Sequence, residues 1–262
     1  MSKLALVTGA SSGIGLNIVQ ILLSRGWRVL LLSYDEAELR VAVEQFSPEQ
    51  AVPVVCDLSV PDQVAGLWQR LELEHGPISV LINNAGIGHH GEVLQTSQEV
   101  FRKLMEVNYF APVALCQQAL QAMKERHQGH ILNVTSASAR RPLARMGAYG
   151  SSKAALHGFT QTLRMEAHAY GVRVTEVLPI SVATPFFERA SNTSQQDYRP
   201  RGLTQSPHQV ASMVVRCLDR NIAECVTHRP TALGLALDCL MPNLVSRLLN
   251  AWERRSNSSP RQ

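Results

Sequence analysis

Basic clusters, paired cysteines and long apolar runs are what this sequence lacks. The net charge is only +4. Its Lys and Arg are scattered, so there is no electrostatic footprint for nucleic acid. The five cysteines, Cys56, Cys116, Cys217, Cys225 and Cys239, show no C-x-x-C spacing and are odd in number. Neither a disulfide framework nor a thiolate metal site is expected, and a reduced, cytoplasmic protein is the simplest reading. "KLALVTGA" runs from Met1 straight into a strand-like pattern with no cleavage site, so no signal peptide is expected. There is no internal repeat, and only the tail at 255–262 reads as disordered. What remains is 45% hydrophobic residues in a 262-residue chain, enough for one large domain with a full core.

Short apolar runs alternate with longer helical patterns over the first two-thirds. "LALVTGA", "RVLLLS", "AVPVVCDL", "ISVLINNAG", "HILNVTS" and "VRVTEVLP" read as strands. Helices are expected from Gly15 to Gly26, after Asp35, from Ser59 and Asp62 to Gly76, and over 97–127 and 147–170. Asp35 with Glu38, and Ser206 with Gln209, read as helix-opening caps. The strands are nearly continuous apolar runs, as expected when helices cover both faces. Strand and helix taking turns imply right-handed crossovers. The expectation is a Rossmann-like, doubly wound α/β fold with a parallel sheet. Ligands of such sheets bind beyond the carboxyl ends of the strands.

After the first strand comes "TGASSGIG", with Gly9, Ser11, Ser12, Gly13, Ile14 and Gly15 between strand and helix. Glycines there permit a tight turn and close approach of backbone N–H groups to a phosphate. "NNAG" (with Asn84, Ala85 and Gly86), the Asn108 of "MEVNYF", Ser136 of "NVTSAS" and the Tyr149 and Lys153 of "YGSSK" follow in order. Taken alone, Tyr and Lys four apart are only neighbours on one helix face. Together the five segments resemble the short-chain dehydrogenase/reductase family in order and spacing, over roughly residues 3–228.

That resemblance implies an oxidoreductase interconverting a carbonyl and an alcohol with NAD(P)(H). It makes Tyr149 the general acid or base. A free phenol titrates at about 10, and the charge of Lys153 would bring it down. Ser136 would hydrogen-bond the carbonyl oxygen, and Asn108 would maintain a water link from Lys153. The blander alternatives are a strand-end cap for Ser136 and an ordinary helix residue for Asn108. Asp57 with Leu58 would lie against adenine, or Asp57 simply starts a helix. Pro179, Val182 and Thr184 match the residues that touch nicotinamide, although Ile180 stands where the family has Gly. Ser33 stands where NAD-preferring members carry a carboxylate, with Tyr34 after it. The missing carboxylate favours NADP(H) over NAD(H), although neither Ser12 nor Tyr34 is the base that would clamp the phosphate.

Residues 185–206 read as a polar lid. His89 and His90 are either solvated loop residues or substrate contacts, and no metal site is expected of them. Arg140, Arg141 and Arg145 suit either an acidic substrate or the solvent, whereas Phe186, Phe187 and Leu143 suit a lipid, steroid or acyl ketone. The expected domain ends near residue 230. An amphipathic helical extension follows to 254, with Leu244, Val245, Leu248, Leu249 and Trp252 on one stripe and Arg247, Arg254 and Arg255 outside it. It would cover its own domain, dock on a second subunit of a homodimer or homotetramer, or touch a membrane surface peripherally. The rivals to a reductase are a catalytically silent dinucleotide sensor or scaffold, and an epimerase or dehydratase.

Overall fold

The computed structural model describes residues 3–193 and 203–258. The middle of the expected lid, the side chains of Trp252, Arg254 and Arg255, and the last tail residues lie outside the described residues. The chain forms two compact units, Met1–Thr227 and His228–Gln262.

In the first unit the elements run β1 (Leu4–Thr8), α1 (Gly13–Ser24), β2 (Arg28–Ser33), α2 (Glu36–Val43), β3 (Ala51–Val55), α3 (Pro61–Val64), α4 (Leu67–His75) and β4 (Val80–Asn83). Then follow β5 (His89–His90), α5 (Gln98–Met105), a π turn (Glu106–Phe110), α6 (Ala111–Glu125), β6 (Gly129–Val134), α7 (Gly147–His168) and β7 (Val172–Leu178). The unit closes with α8 (Phe186–Arg189), β8 (Ser191–Asn192), α9 (Pro207–Arg220) and β9 (Glu224–Val226). Seven strands pair in the order β3-β2-β1-β4-β6-β7-β9, and every pair is parallel. The winding reverses between β1 and β4, which places the ligand crevice at their carboxyl ends.

Alternate strand residues are buried on opposite faces. Leu4, Leu6, Leu30 and Leu81 pack with Trp68, Leu115 and Leu163 on one side. Ala5, Val7, Leu31 and Ile82 pack with Ile18, Leu22 and Val214 on the other. That double burial is why the strands read as continuous apolar runs, and each fully buried Leu contributes about 2 kcal/mol.

Four expectations change. The helix expected from Ser59 to Gly76 is broken into α3 and α4, because Gly66 adopts φ 66° between them; Ser59 instead binds Asp57. The Asp35 cap forms, with its carboxylate accepting the Glu38 N–H at 2.9 Å, but the Glu38 side chain turns elsewhere and the reciprocal half of the box is absent. The 97–127 helix contains the π turn at 106–110. A seventh strand, β9, was not anticipated. It is three residues long and half-buried, too short to carry a periodic signal.

The second unit consists of α10 (Arg229–Leu240) and α11 (Pro242–Ser258). α11 runs past residue 255, where the disordered tail was expected, because its helical pattern has no glycine or proline to stop it there. Leu233, Leu240, Leu244 and Leu248 are exposed. Among the described residues, no helix is long and apolar enough to cross a membrane.

Candidate active site

The glycine turn is built by backbone approach. Gly9 has φ +63° and Gly13 +56°, the left-handed region that side chains disfavour. A Cβ on Gly9 would sit 2.9 Å from the Ala85 backbone, and one on Gly15 would run into the Gly9 carbonyl and the Asn84 amide. Asn84 holds the turn from the other side, its Nδ2 donating to the Thr8 and Gly9 carbonyls at 3.0 and 3.3 Å. Thr8 Oγ1 accepts the N–H groups of Asn84 and Ala85 at 3.0 and 2.9 Å. Asn83, the first Asn of "NNAG", is buried and donates to Asn133 Oδ1 at 2.9 Å, tying β4 to β6.

Ser12 caps α1 without a side-chain hydrogen bond to its first turn, and that turn holds no acidic residue. Its N–H groups and positive dipole end therefore suit an anion. A pyrophosphate suits these N–H groups, and the glycines let the surrounding backbone close up this tightly. Ile14 packs against the core beside it. Thr184 closes the far side, its Cγ2 lying 3.2 Å from where a Gly13 Cβ would stand.

Tyr149 and Lys153 lie one turn apart in α7 and are 7% and 4% exposed, so they are not a wet helix edge. Lys153 Nζ donates to the Val134 carbonyl at 3.2 Å. Burial brings its amine down to about 8, against a smaller upward pull from the Glu176 carboxylate. Ser136 caps the 3₁₀ turn Ala137–Ala139, its Oγ accepting the Ser138 N–H at 3.1 Å. The bland role is thus real, and it also fixes the hydroxyl's position. The Pro179 carbonyl anchors that turn by accepting the Ala137 N–H at 2.8 Å. Gly150 lets it pack on α7, since a Cβ there would lie 2.7 Å from Pro142 Cβ.

Asn108 is fully buried in the π turn. Its Oδ1 accepts the Ile87 N–H, and its Nδ2 donates to the Ile87 carbonyl and to Ser152 Oγ, each at 2.9 Å. A Cβ on Gly86 would lie 3.1 Å from Asn108 Oδ1 and 3.2 Å from Lys153 Nζ, which places Gly86 beside both groups.

Behind Lys153 lies a buried carboxylate that the sequence reading did not single out. Glu176 is 0% exposed. It accepts a hydrogen bond from Thr135 Oγ1 at 2.6 Å and meets His157 Nδ1 at 2.8 Å. Glu224 approaches the same group, but Arg140 pairs with it at 3.0 Å and Gln161 bridges it to Glu176. These partners account for the cluster without an ion.

The remaining expected residues divide. Val182 is buried and Ile180 keeps an ordinary φ, so its replacement of Gly causes no left-handed strain. Leu58 is buried in the core. Asp57 Oδ1 accepts the Ser59 N–H and hydroxyl at 2.8 and 2.7 Å, the bonding of a turn residue. Arg140 and Arg145 pair with Glu224 and Glu92. His89 and His90 are buried, not solvated. They pair as β5 with β8, and His89 Nδ1 meets Ser191 Oγ at 2.8 Å, so they anchor the segment that follows α8. Burial lowers the pKa of His89. From α8, Phe186 lies edge-on to the Tyr149 ring, 5.7 Å between centroids, and Phe187 stacks edge-on against Phe186 at 5.4 Å.

At the end of β2, Ser33 Oγ lies 3.0 Å from Ser11 Oγ, and Ser11 donates to Glu38 Oε2 at 2.7 Å. Arg189 of α8 grips the same carboxylate through both terminal nitrogens, at 3.2 and 2.7 Å. Tyr34 is 65% exposed beside this group. From sequence Glu38 carried only the capping role beside Asp35, and Arg189 was not singled out. They are 151 residues apart, and no local pattern pairs them.

A parallel doubly wound sheet with a glycine turn at its switch point defines a dinucleotide-binding class. The short chain dehydrogenase family pattern matches residues 3–195, and the chain belongs to that family. It is a nicotinamide-dinucleotide-dependent oxidoreductase acting on alcohol or carbonyl groups. It is 30% identical to the bovine dehydrogenase/reductase SDR family member 7B, over 98% of this chain and 83% of that protein. It is 36% identical to the probable oxidoreductase EphD of Mycobacterium tuberculosis, over 66% of this chain but only 30% of that protein. A short chain dehydrogenase from Burkholderia cenocepacia, solved with NADP, superposes with a TM-score of 0.79 at 30% identity, covering 95% of this chain and 99% of that one. One from Burkholderia phymatum, solved with NAD, shares the fold at a TM-score of 0.83 and 22% identity, covering 93% and 95% of the two chains.

Proposed function

We propose that the chain reduces a bulky apolar ketone or aldehyde with NADPH, or oxidises the matching alcohol. The observation that carries this reading is the buried Tyr149–Lys153 turn with the Phe186 ring set against Tyr149. The bound coenzyme supplies or accepts the hydride. Tyr149 gives its proton to the carbonyl oxygen. Ser136, held by its turn, donates a hydrogen bond to that oxygen as charge develops on it. Lys153, in its charged form, favours the phenolate that Tyr149 leaves behind. Asn108 holds the π turn against Ile87 and Ser152, and so keeps the Lys153 side of the site in place. Phe186 and Phe187 form an apolar wall suited to a lipid-like or aromatic substituent. Ser33 in place of a carboxylate supports NADP(H).

Replacing Tyr149 by Phe removes the proton donor and keeps the ring. Turnover of a responsive ketone should fall about 10²–10⁴-fold while NADPH still binds. If turnover survives in Tyr149→Phe, the assignment is wrong. A panel of linear, aromatic and polycyclic ketones followed by NADPH absorbance identifies the substrate class. Retained biological activity without any turnover would favour the sensor reading.

A further inference from the structure

The end of β2 poses a chemical problem. Dinucleotide sites of this topology use an acid to accept the ribose hydroxyls of NAD, or an Arg to accept the 2′-phosphate of NADP. Ser33 and Tyr34, at the strand end, supply neither. The tertiary structure brings both kinds of group to the place through residues distant in sequence. Glu38 reaches back from α2 and accepts the Ser11 hydroxyl, which itself contacts Ser33; the Ser12 hydroxyl adds to that carboxylate's bonds. Arg189 comes from α8 and closes on the same carboxylate.

We propose that Glu38 and Arg189 are the coenzyme-discriminating pair: Arg189 exchanges Glu38 for the 2′-phosphate of NADP(H), and Glu38 accepts the ribose hydroxyls of NAD(H). The proposal rests on the dinucleotide reading of the glycine turn and deepens it. Three observations support the exchange. The Arg189 side chain is half exposed, at 51%, so it turns toward a ligand at low cost. A guanidinium has five donors, and Arg189 meets Glu38 through its two terminal nitrogens. A phosphate offers the guanidinium the same bidentate geometry as a carboxylate, with nearly twice the charge and a third acceptor oxygen, and Glu38 keeps Ser11 when Arg189 leaves. Tyr34 and Asp35 also face Arg189, so an anionic ligand relieves no repulsion there and must win on its own contacts.

Position adds a consequence. Arg189 lies three residues from Phe186 in the same short helix, and Phe186 meets Tyr149. Seating the 2′-phosphate on Arg189 therefore steadies the wall beside the reacting group.

The test is equilibrium binding of NADPH and NADH, by titration calorimetry, to the full chain, Arg189→Gln, Arg189→Lys and Glu38→Gln, each first checked by circular dichroism and thermal melting. Arg189→Gln should weaken NADPH by about tenfold or more and leave NADH within about twofold. Arg189→Lys should recover part of the loss. Glu38→Gln should shift the ratio the other way, tightening NADPH and weakening NADH. In the wild-type chain NADPH binding should fall with added salt more steeply than NADH binding. Equal loss of both coenzymes in Arg189→Gln, or unchanged NADPH affinity, overturns the proposal and makes the pair a structural bridge. If the unmodified chain binds neither coenzyme, the dinucleotide reading itself fails, and the wild-type titration shows that before any variant is compared.

Discussion

Lys153 is a cation held almost entirely away from water, and its energetics follow from that. Its folded-state pKa of about 8 lies below the usual 10.5, so between these values the unfolded chain binds the extra proton. Stability therefore rises with pH across that window. Below about pH 8 both states are protonated and the full cost of burial is present, roughly 3 kcal/mol at 1.36 kcal/mol per pKa unit. Lys153→Met should abolish turnover yet raise urea stability at pH 7 by about 1–3 kcal/mol, the lower figure allowing for the lost bond to Val134. The gap to wild type should narrow as pH rises from 8 toward 10.5. A destabilised Lys153→Met variant would contradict this account. The sequence showed the Tyr149–Lys153 spacing, but spacing does not distinguish a solvated helix face from a buried one.

At the scale of elements, the π turn at 106–110 shows why a site element departs from regular structure. The extra residue per turn interrupts the α ladder between α5 and α6, and Asn108 ends fully buried with Ile87 and Ser152 as its partners. Asn108→Ala would leave the Ile87 N–H, its carbonyl and Ser152 short of a partner. It should cost about 2–3 kcal/mol in urea unfolding, and turnover should drop with it. A stability change within the scatter of surface substitutions would show that the bend does not depend on this side chain. Pattern reading found the helix on both sides of Asn108 and ran through the bend, because the apolar period shifts by only one residue there. The α3–α4 break was legible in principle, since it falls on Gly66, yet glycine alone does not announce a left-handed φ.

For the whole molecule, the exposed surface carries the next question. Phe110 at the end of the π turn and Met165 on α7 are 51% and 72% exposed. If the chain forms the homodimer or homotetramer expected from its sequence, these large exposed side chains are the first to test. Phe110→Glu with Met165→Glu should lower the mass seen by light scattering at micromolar concentration and leave the circular dichroism spectrum unchanged. An unchanged mass would show either that the chain is a monomer or that another face pairs, and the exposed leucines of α10 and α11 are the next to substitute.

The alternation of strand and helix, the glycine turn and the order of Asn108, Ser136, Tyr149 and Lys153 were all readable along the chain. Each is a local matter of backbone conformation, burial period or spacing within a few turns. What only the tertiary structure decided are the pairings across long separations. They include the burial of His89 against the segment after α8, the Glu176 carboxylate behind Lys153, the edge strand β9, and Arg189 closing on Glu38. Such contacts depend on where the crossovers of the sheet set distant residues down, and no periodicity in one segment records which other segment will face it.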